Sequence, residues 1–255
     1  MRILRTQGFT LLELSIVLVI IGLLIGGIFV GQSLIHTAQL NAVISEFNRY
    51  QTAVQNFKQQ YQALPGDMTN ATSFWGSAGG TGADATCMST VSTTAATCNG
   101  NGDGAISTSV NSNDEILRFW QHLSNAKMIE GFYSGGTWAP TIGVGVPASR
   151  YGNNTGWWPN LASTYAPGGA NNFTTDYGSG HILKLTNILS AGPHLTPKDA
   201  WSIDKKFDDG KPALGNILVF YWAACTNAAN SSDFTATYTL TVTTPSCGLV
   251  FLTGF

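Results

Sequence analysis

The polarity of the chain changes character several times along its length. Met1–Gly8 is short and polar, with positive charges at Arg2 and Arg5. Phe9–Val30 is almost wholly apolar, and from Leu14 to Val30 it holds no charged residue. That run is close to the ~20 residues a helix needs to cross a bilayer. The pattern then becomes periodic. Leu40, Val43, Phe47, Tyr50, Val54, Phe57 and Tyr61 recur in alternating steps of three and four residues. Asn41, Ser45, Glu46, Asn48, Arg49, Gln51, Gln55, Lys58 and Gln59 fall between them. This spacing predicts an amphipathic helix with a polar outer face. A two-chain coiled coil fits the same stripe, but packing on the chain's own sheet fits it better. Proline first appears at Pro65, where "LPGD" predicts the stop. One helix from Phe9 to Leu64 would run roughly 80 Å at 1.5 Å per residue.

Beyond Pro65, Gly, Thr, Ser, Ala and Asn dominate to about Val110, which predicts irregular loop. A second helix follows. Ser112 or Asn113 caps it, Asp114 and Glu115 lie in its first turn, and Ile116, Leu117, Trp120, Leu123 and Met128 form its apolar face, with Gly131 ending it. Thr141–Val146 and His181–Ile188 read as short β-prone runs separated by a Gly/Asn/Trp-rich loop. Thr196, Pro197 and Asp199 predict a helix start. Asn216–Ala224 reads as a buried strand, Phe234–Thr243 as an antiparallel one and Leu249–Leu252 as a short edge. The expected class is α+β: a long N-terminal helix packed on an antiparallel sheet, with large loop insertions.

Composition adds limits. Of 255 residues only 10% are charged, and 12 basic against 14 acidic side chains give a net charge of -2. No concentrated basic face marks a nucleic-acid binder. Four cysteines, Cys87, Cys98, Cys225 and Cys247, permit three pairings. Local pairing would close two short loops at modest entropic cost, and no C-x-x-C spacing points to zinc or redox chemistry.

The N-terminus decides the class. Basic residues before the apolar run place that end in the cytoplasm and the rest of the chain outside. A conventional secretory signal is the alternative, but Gly31, Gln32, Ser33 and Leu34 offer no convincing cleavage site. Glu13 also sits inside the apolar segment, where a carboxylate costs about 2.5–3.5 kcal/mol on insertion scales. A functional role for it is therefore the default. The string "GFTLLELSIVLVIIGLLIGGI", Gly8 to Ile28, closely resembles the processing and methylation motif of type IV prepilins and type II secretion pseudopilins. The resemblance implies a pilin-like fold and no catalytic site of the chain's own. It implies that prepilin peptidase cuts at Gly8–Phe9 and methylates Phe9, and that Glu13, fifth in the mature chain, serves subunit assembly. Loss of Arg2 and Arg5 would take the side-chain charge from -2 to -4. Gly22, Gly26, Gly27 and Gly31 form two interleaved small-xxx-small pairs suited to close helix packing.

The organisation expected is therefore a leader (1–8), a transmembrane and assembly helix (9–31), its amphipathic continuation (32–64) and a globular domain (65–255) outside the cytoplasm. The expected partners are itself or other pilins in a filament, prepilin peptidase, the inner-membrane assembly machinery and membrane lipid. The filament would lie in the periplasm or at the cell surface. "ALPGDMTNATSFWG", "FWQHLSNAKMIEG" and "IDKKFDDGKPALGN" also look similar to a bacterial group of prepilin-type proteins. A minor pilin acting as an adhesive or substrate-binding tip is the alternative role, with Trp138, Tyr151, Trp157 and Trp158 either a contact surface or loop core.

No cofactor is required, but calcium is a candidate. "NGNGDGAI" places Asn99, Asn101 and Asp103 at alternate positions ahead of Gly104, like the first half of a calcium loop. Val110 stands where the closing glutamate belongs, so Asp114 or Glu115 would have to supply it. A metal-free glycine-rich turn is the competing reading. Asp208 and Asp209 make a second oxygen-rich turn, more in keeping with a solvated loop. His36, His122, His181 and His194 are dispersed, and no G-x-S-x-G, H-E-x-x-H, Walker or dinucleotide motif accompanies them.

Overall fold

The computed structural model describes residues 10–106, 108–109, 113–136, 141–152, 154–161, 173, 180–186, 193–220 and 222–255, with backbone alone at 108, 109, 113, 114 and 222. Residues 1–8, Phe9, Trp138 and the Asp114 side chain lie outside that description. The chain divides into two compact units, Met1–Gln39 and Leu40–Phe255.

Helix α1 runs Leu11–Tyr61. In the first unit its large apolar residues, from Leu11 through Ile35, are exposed. In the second unit Val43, Phe47, Tyr50, Val54 and Phe57 are buried, with Leu40 and Tyr61 packed at the margin. The heptad-spaced stripe is thus the face that meets the core.

Its counterpart is a four-stranded antiparallel sheet of β3 (Gly156–Leu161), β4 (His181–Thr186), β5 (Ile217–Phe220) and β6 (Gly248–Leu252) in the order β3-β4-β6-β5 (the labels β1 and β2 belong to a small pair described below). Side chains alternate by two, as a pleated strand requires. Leu183, Leu185, Ile217, Val219, Leu249 and Phe251 join the main core with α1, while Ile182, Leu218 and Val250 form a separate cluster. Aromatic rings make the seam: Phe47 lies 5.0 Å from Phe251 and Trp157 5.2 Å from Phe251, while Tyr50 sits 4.8 Å from Trp120. This is the α+β, pilin-like arrangement expected.

Between α1 and the sheet lies a long insertion. It holds α2 (Ala71–Trp75), α3 (Ala85–Ser89), a two-residue pair β1 (Thr108–Ser109) and β2 (Asn113–Asp114), and α4 (Glu115–Asn125). Later come α5 (Pro197–Phe207), capped by the Thr196 hydroxyl accepting from the Asp199 N–H, and α6 (Trp222–Cys225). Cys87 pairs with Cys98, and Cys225 with Cys247. The first disulfide loop is seated on a polar stripe of α4. Arg118 donates to the carbonyls of Cys87 and Thr90, Gln121 to Ala96 and Asn125 to Ala95. These residues recur at helical spacing, so one face of α4 is reserved for a loop that has no regular structure to satisfy its own carbonyls. Burial lowers the Arg118 pKa to about 10, leaving the guanidinium charged at neutral pH.

Several elements differ from expectation, for local reasons. Thr141–Val146 is a tight turn with an isolated Ile142–Val146 bridge, because Gly143 takes φ 83° and reverses the chain. Phe234–Thr243 makes turns, bridged once through Tyr238 to Thr226; the Asp233 carboxylate binds the Thr235 N–H and hydroxyl and pulls the backbone out of the extended state. Leu249–Leu252 belongs to a central strand rather than an edge. Strand β5 ends at Phe220, and Trp222–Ala224 of the predicted strand belong to α6. The Trp-rich segment read as loop contains β3. Helix α4 stops at Asn125, ahead of Lys127 at φ 59°, and not at Gly131.

Glu46 is the main departure. The helical pattern puts it on the polar outer face, yet it is buried. Its Oε2 accepts from Ser149 Oγ at 2.8 Å and Trp157 Nε1 at 2.9 Å, and its Oε1 from the Arg150 N–H at 2.8 Å. A buried carboxylate is tolerated when charge-assisted bonds replace its water. Glu46→Gln turns an amide NH₂ toward a donor. Chemical denaturation should show about 2 kcal/mol lower stability, while Glu46→Asp keeps the charge but shortens the reach and should fall between the two.

Candidate functional site

The N-terminal segment is built locally. Thr10 and Glu13 form a reciprocal capping box: Glu13 Oε2 accepts from the Thr10 N–H and hydroxyl, each at 2.8 Å, and the Glu13 N–H donates to Thr10 Oγ1 at 3.2 Å. Sequence reading assigned Glu13 to assembly and missed this second use, though Thr-x-x-Glu ahead of an apolar run is its signature. Gly22, Gly26, Gly27 and Gly31 follow on the same exposed helix, and no described atom lies within 4 Å of where a Cβ would stand at any of them. Nothing among the described residues calls for glycine at these four positions. Among the described residues α1 is the one helix long and apolar enough to cross a membrane.

Residues 3–29 match the family model for the prokaryotic N-terminal methylation motif. The chain carries the prepilin-type signature. No curated protein and no solved structure matches the chain. The signature covers Gly8, Phe9, Glu13, Gly22, Gly26 and Gly27 and ends before Gly31. It marks a pilin-like or pseudopilin-like chain whose apolar helix suits a membrane anchor, and it points to a structural protein rather than an enzyme.

The candidate calcium loop of this prepilin-type chain is arranged differently from the sequence reading. Asn99 Oδ1 accepts from the Thr72 N–H at 2.8 Å, at the start of α2. Asn101 Oδ1 takes the Asp103 N–H at 2.8 Å, and Asn101 Nδ2 donates to Asp103 Oδ2 at 2.9 Å. The hub is instead Asp67, from "LPGD", whose side chain had drawn no functional assignment. Asp67 Oδ1 accepts from the N–H groups of Gly102 (2.6 Å) and Asp103 (3.1 Å), and Oδ2 from Gly104 (2.9 Å). Glu115 Oε1 accepts from the Asn101 N–H at 2.9 Å. Carboxylate oxygens of Asp67, Asp103 and Glu115 lie within 4.8 Å of one another. These three carboxylates are a group among the described residues that could hold a cation here; of the Asn99–Asn101–Asp103–Asp114 set, Asp103 belongs to it and the Asp114 side chain lies outside the described residues. Burial, with Asp103 adding repulsion, raises the Asp67 pKa despite its amide donors.

The loop therefore wraps carboxylates with backbone N–H groups, and its fold depends on them. Asp67→Asn places a donor against one or more of those amides. It should lower the thermal midpoint, at a cost of about 2 kcal/mol, and the loss should appear in chelator as well as in calcium.

In the second oxygen-rich turn, Asp204 lies with Asp208 and Asp209. Asp208 Oδ2 accepts from the Ile217 N–H at 3.0 Å, joining the end of α5 to β5. Asp204 accepts from Tyr238 Oη at 2.6 Å and the Gly210 N–H at 3.0 Å, yet burial pushes its pKa up to about 7. Two of the histidines, His122 and His181, are held by hydrogen bonds inside the fold. His122 Nδ1 accepts from the Gly66 N–H at 2.9 Å, so Nε2 carries the proton toward Thr97 Oγ1 or the Cys98 carbonyl. Burial lowers its pKa to about 3. His181 Nε2 accepts from Ile106 and its Nδ1 donates to the Phe255 carbonyl. Of the aromatics offered as contact surface or loop core, Tyr151 and Trp157 are buried in the core and Trp158 is half-buried against it, the two tryptophans lying in β3.

The raised Asp204 pKa favours the folded state when protonated. Its contribution is complete below the ordinary carboxylate value of 3.8 and is lost as pH rises through about 7. His122 acts oppositely, losing stability as pH falls below its ordinary value toward about 3. The stability difference between the parent and Asp204→Asn, measured by denaturation from pH 4 to 8, should therefore shift steadily against the parent up to pH 7 and then level off.

Proposed function

We propose that this chain is made as a prepilin, cut at Gly8–Phe9, methylated on Phe9, and assembled into a type IV pilus or type II secretion pseudopilus. The observation that carries the reading is coincidence. The matched residues 3–29 overlay the start of α1, where the Thr10–Glu13 box opens a long exposed apolar helix. Cleavage would create a positive amine on Phe9. Such a charge is tolerated at the edge of a dry helix bundle only when paired. The Glu13 carboxylate of a neighbouring subunit supplies that charge and sets the axial register. The four glycines let neighbouring helices approach closely.

The partners are other copies or other pilins, the peptidase, the assembly machinery and lipid. The location is the bacterial inner membrane, with the globular unit outside the cytoplasm, and then the filament.

The first test is the N-terminal mass of the protein recovered from cells that contain a prepilin peptidase: methylated Phe9 is expected, and an intact Met1 or a cut near Ser33 sinks the reading. The capping box makes a sharper second test necessary. Glu13→Gln preserves the cap but removes the charge, whereas Glu13→Ala removes both. If charge pairing drives assembly, both variants are processed and inserted but give filament yields lower by roughly tenfold or more. Normal assembly of Glu13→Gln alongside failure of Glu13→Ala would reduce Glu13 to a helix cap.

A further inference from the structure

The exposed charges of α5 are not distributed like those of the whole chain. Lys198, Trp201 and Lys205 lie at i, i+3 and i+7, hence on one helix face, and the Lys205 ammonium rests 4.6 Å over the Trp201 ring. Lys198, Lys205 and Lys206 are exposed, and Trp201 is half-buried. The acids of the same helix are turned away: Asp199 Oδ2 accepts from the Tyr151 hydroxyl, and Asp204 is bound by Tyr238, both buried. Just past the helix, Asp208 is occupied by the Ile217 N–H, and Asp209 is the exposed acid of this stretch. The face therefore presents basic ends around an indole, although the chain as a whole is acidic.

Its location gives this a meaning. Lys206 Nζ donates to Asn41 Oδ1 on α1, and Phe207 packs edge-on against Phe47 at 5.6 Å. Asn41 follows Gly31, the end of the expected membrane-spanning stretch, by ten residues of α1. That is about 15 Å of helix; the headgroup layer takes on the order of 5–8 Å of it, and what is left is about one Debye length. Exposed Arg150 adds a further positive charge near the same place, since its N–H is bound to Glu46. The acidic trio Asp67, Asp103 and Glu115 lies instead beyond the other end of α1.

Resting on the membrane-anchored reading above, we infer that the Lys198–Trp201–Lys205 face, with Lys206 beside it, docks on anionic phospholipid headgroups while the subunit waits in the bilayer. Lysines within a Debye length of an anionic surface each strengthen adhesion, and an indole flanked by them suits the interfacial region. Charge complementarity selects this occupant: the membrane is the one negative surface to which the chain is already tethered at this end.

The test is made on the full chain reconstituted into liposomes of phosphatidylethanolamine, with or without phosphatidylglycerol. An impermeant amine-acylating reagent and residue-resolved mass spectrometry report lysine exposure. Lys198, Lys205 and Lys206 should be acylated at least about threefold more slowly in the anionic liposomes, and high salt should reverse the effect. Lys58, about 25 Å further along α1, should not change. In a Lys205→Glu/Lys206→Glu variant the protection of Lys198 should disappear. Equal labelling in both lipids overturns the proposal, as does protection that follows protein-to-lipid ratio rather than lipid charge, which would assign the face to a second copy. Alkaline carbonate extraction separates the two levels. A chain that resists extraction but shows no protection loses only this inference, while an extracted chain loses the anchored reading and this inference with it.

Discussion

Val43, Phe47, Tyr50, Val54 and Phe57 bury one face of α1, and a helix buried along one face restricts where a sheet can lie. Leu183, Leu185, Leu249 and Phe251 reach that face from the inner strands, and Trp157 reaches it from β3. The aromatic residues carry much of the contact because each buries a large area and meets its neighbours edge-on or offset. Glu46 fixes the register of the contact in a way that apolar packing alone does not. Its carboxylate accepts from a hydroxyl, an indole and a backbone amide that belong to β3 and to the loop before it. An edge strand whose one full ladder is with β4 is thereby tied directly to the helix.

The same logic, a side chain satisfying backbone that has no ladder of its own, organises the long insertion. Arg118, Gln121, His122 and Asn125 project from α4 into the Cys87–Cys98 loop. Asp67 collects three amides from the glycine-rich turn at 102–104. Segments rich in Gly, Thr and Ser bury little apolar surface per residue. They stay ordered here because their polar backbone groups find fixed partners, with the disulfide reducing the freedom of the unfolded loop. Gly100 and Gly136 show how close the chains come: a Cβ at either would stand 2.4 Å or less from backbone atoms of Asp67 or Thr90.

Legibility in the sequence followed the range of the interaction. The α1 stripe, the Thr196–Pro197–Asp199 start and the β-prone runs that contain β4, β5 and β6 were readable because neighbours a few residues apart decide them. Strand β3 was not, since a segment beginning Gly-Trp-Trp-Pro-Asn becomes a strand only by pairing with residues some 25 positions on. Phe234–Thr243 failed in the opposite direction, alternating well in a place where Asp233 and a buried Tyr238 win locally. Asp67 and Glu115 were invisible as a pair because 48 residues separate them, whereas the Asn99–Asp103 spacing is local and legible, and Asn101 and Asp103 also bond to each other within that loop.

Two carboxylates on one helix sharpen the functional point. Glu46 resembles a surface residue in the helical pattern and is consumed inside its own chain. Glu13 stands out as an anomaly in an apolar run, and its oxygen contacts are with Thr10, within one turn. A capping box of this kind is worth about 1 kcal/mol in water, whereas a carboxylate inside a bilayer costs more than that. Capping alone therefore does not repay the presence of Glu13 in a membrane segment, and a positive group brought to it from outside the chain would. That inequality, together with the matched signature around it, is the physical reason to look for the counter-charge on a neighbouring subunit.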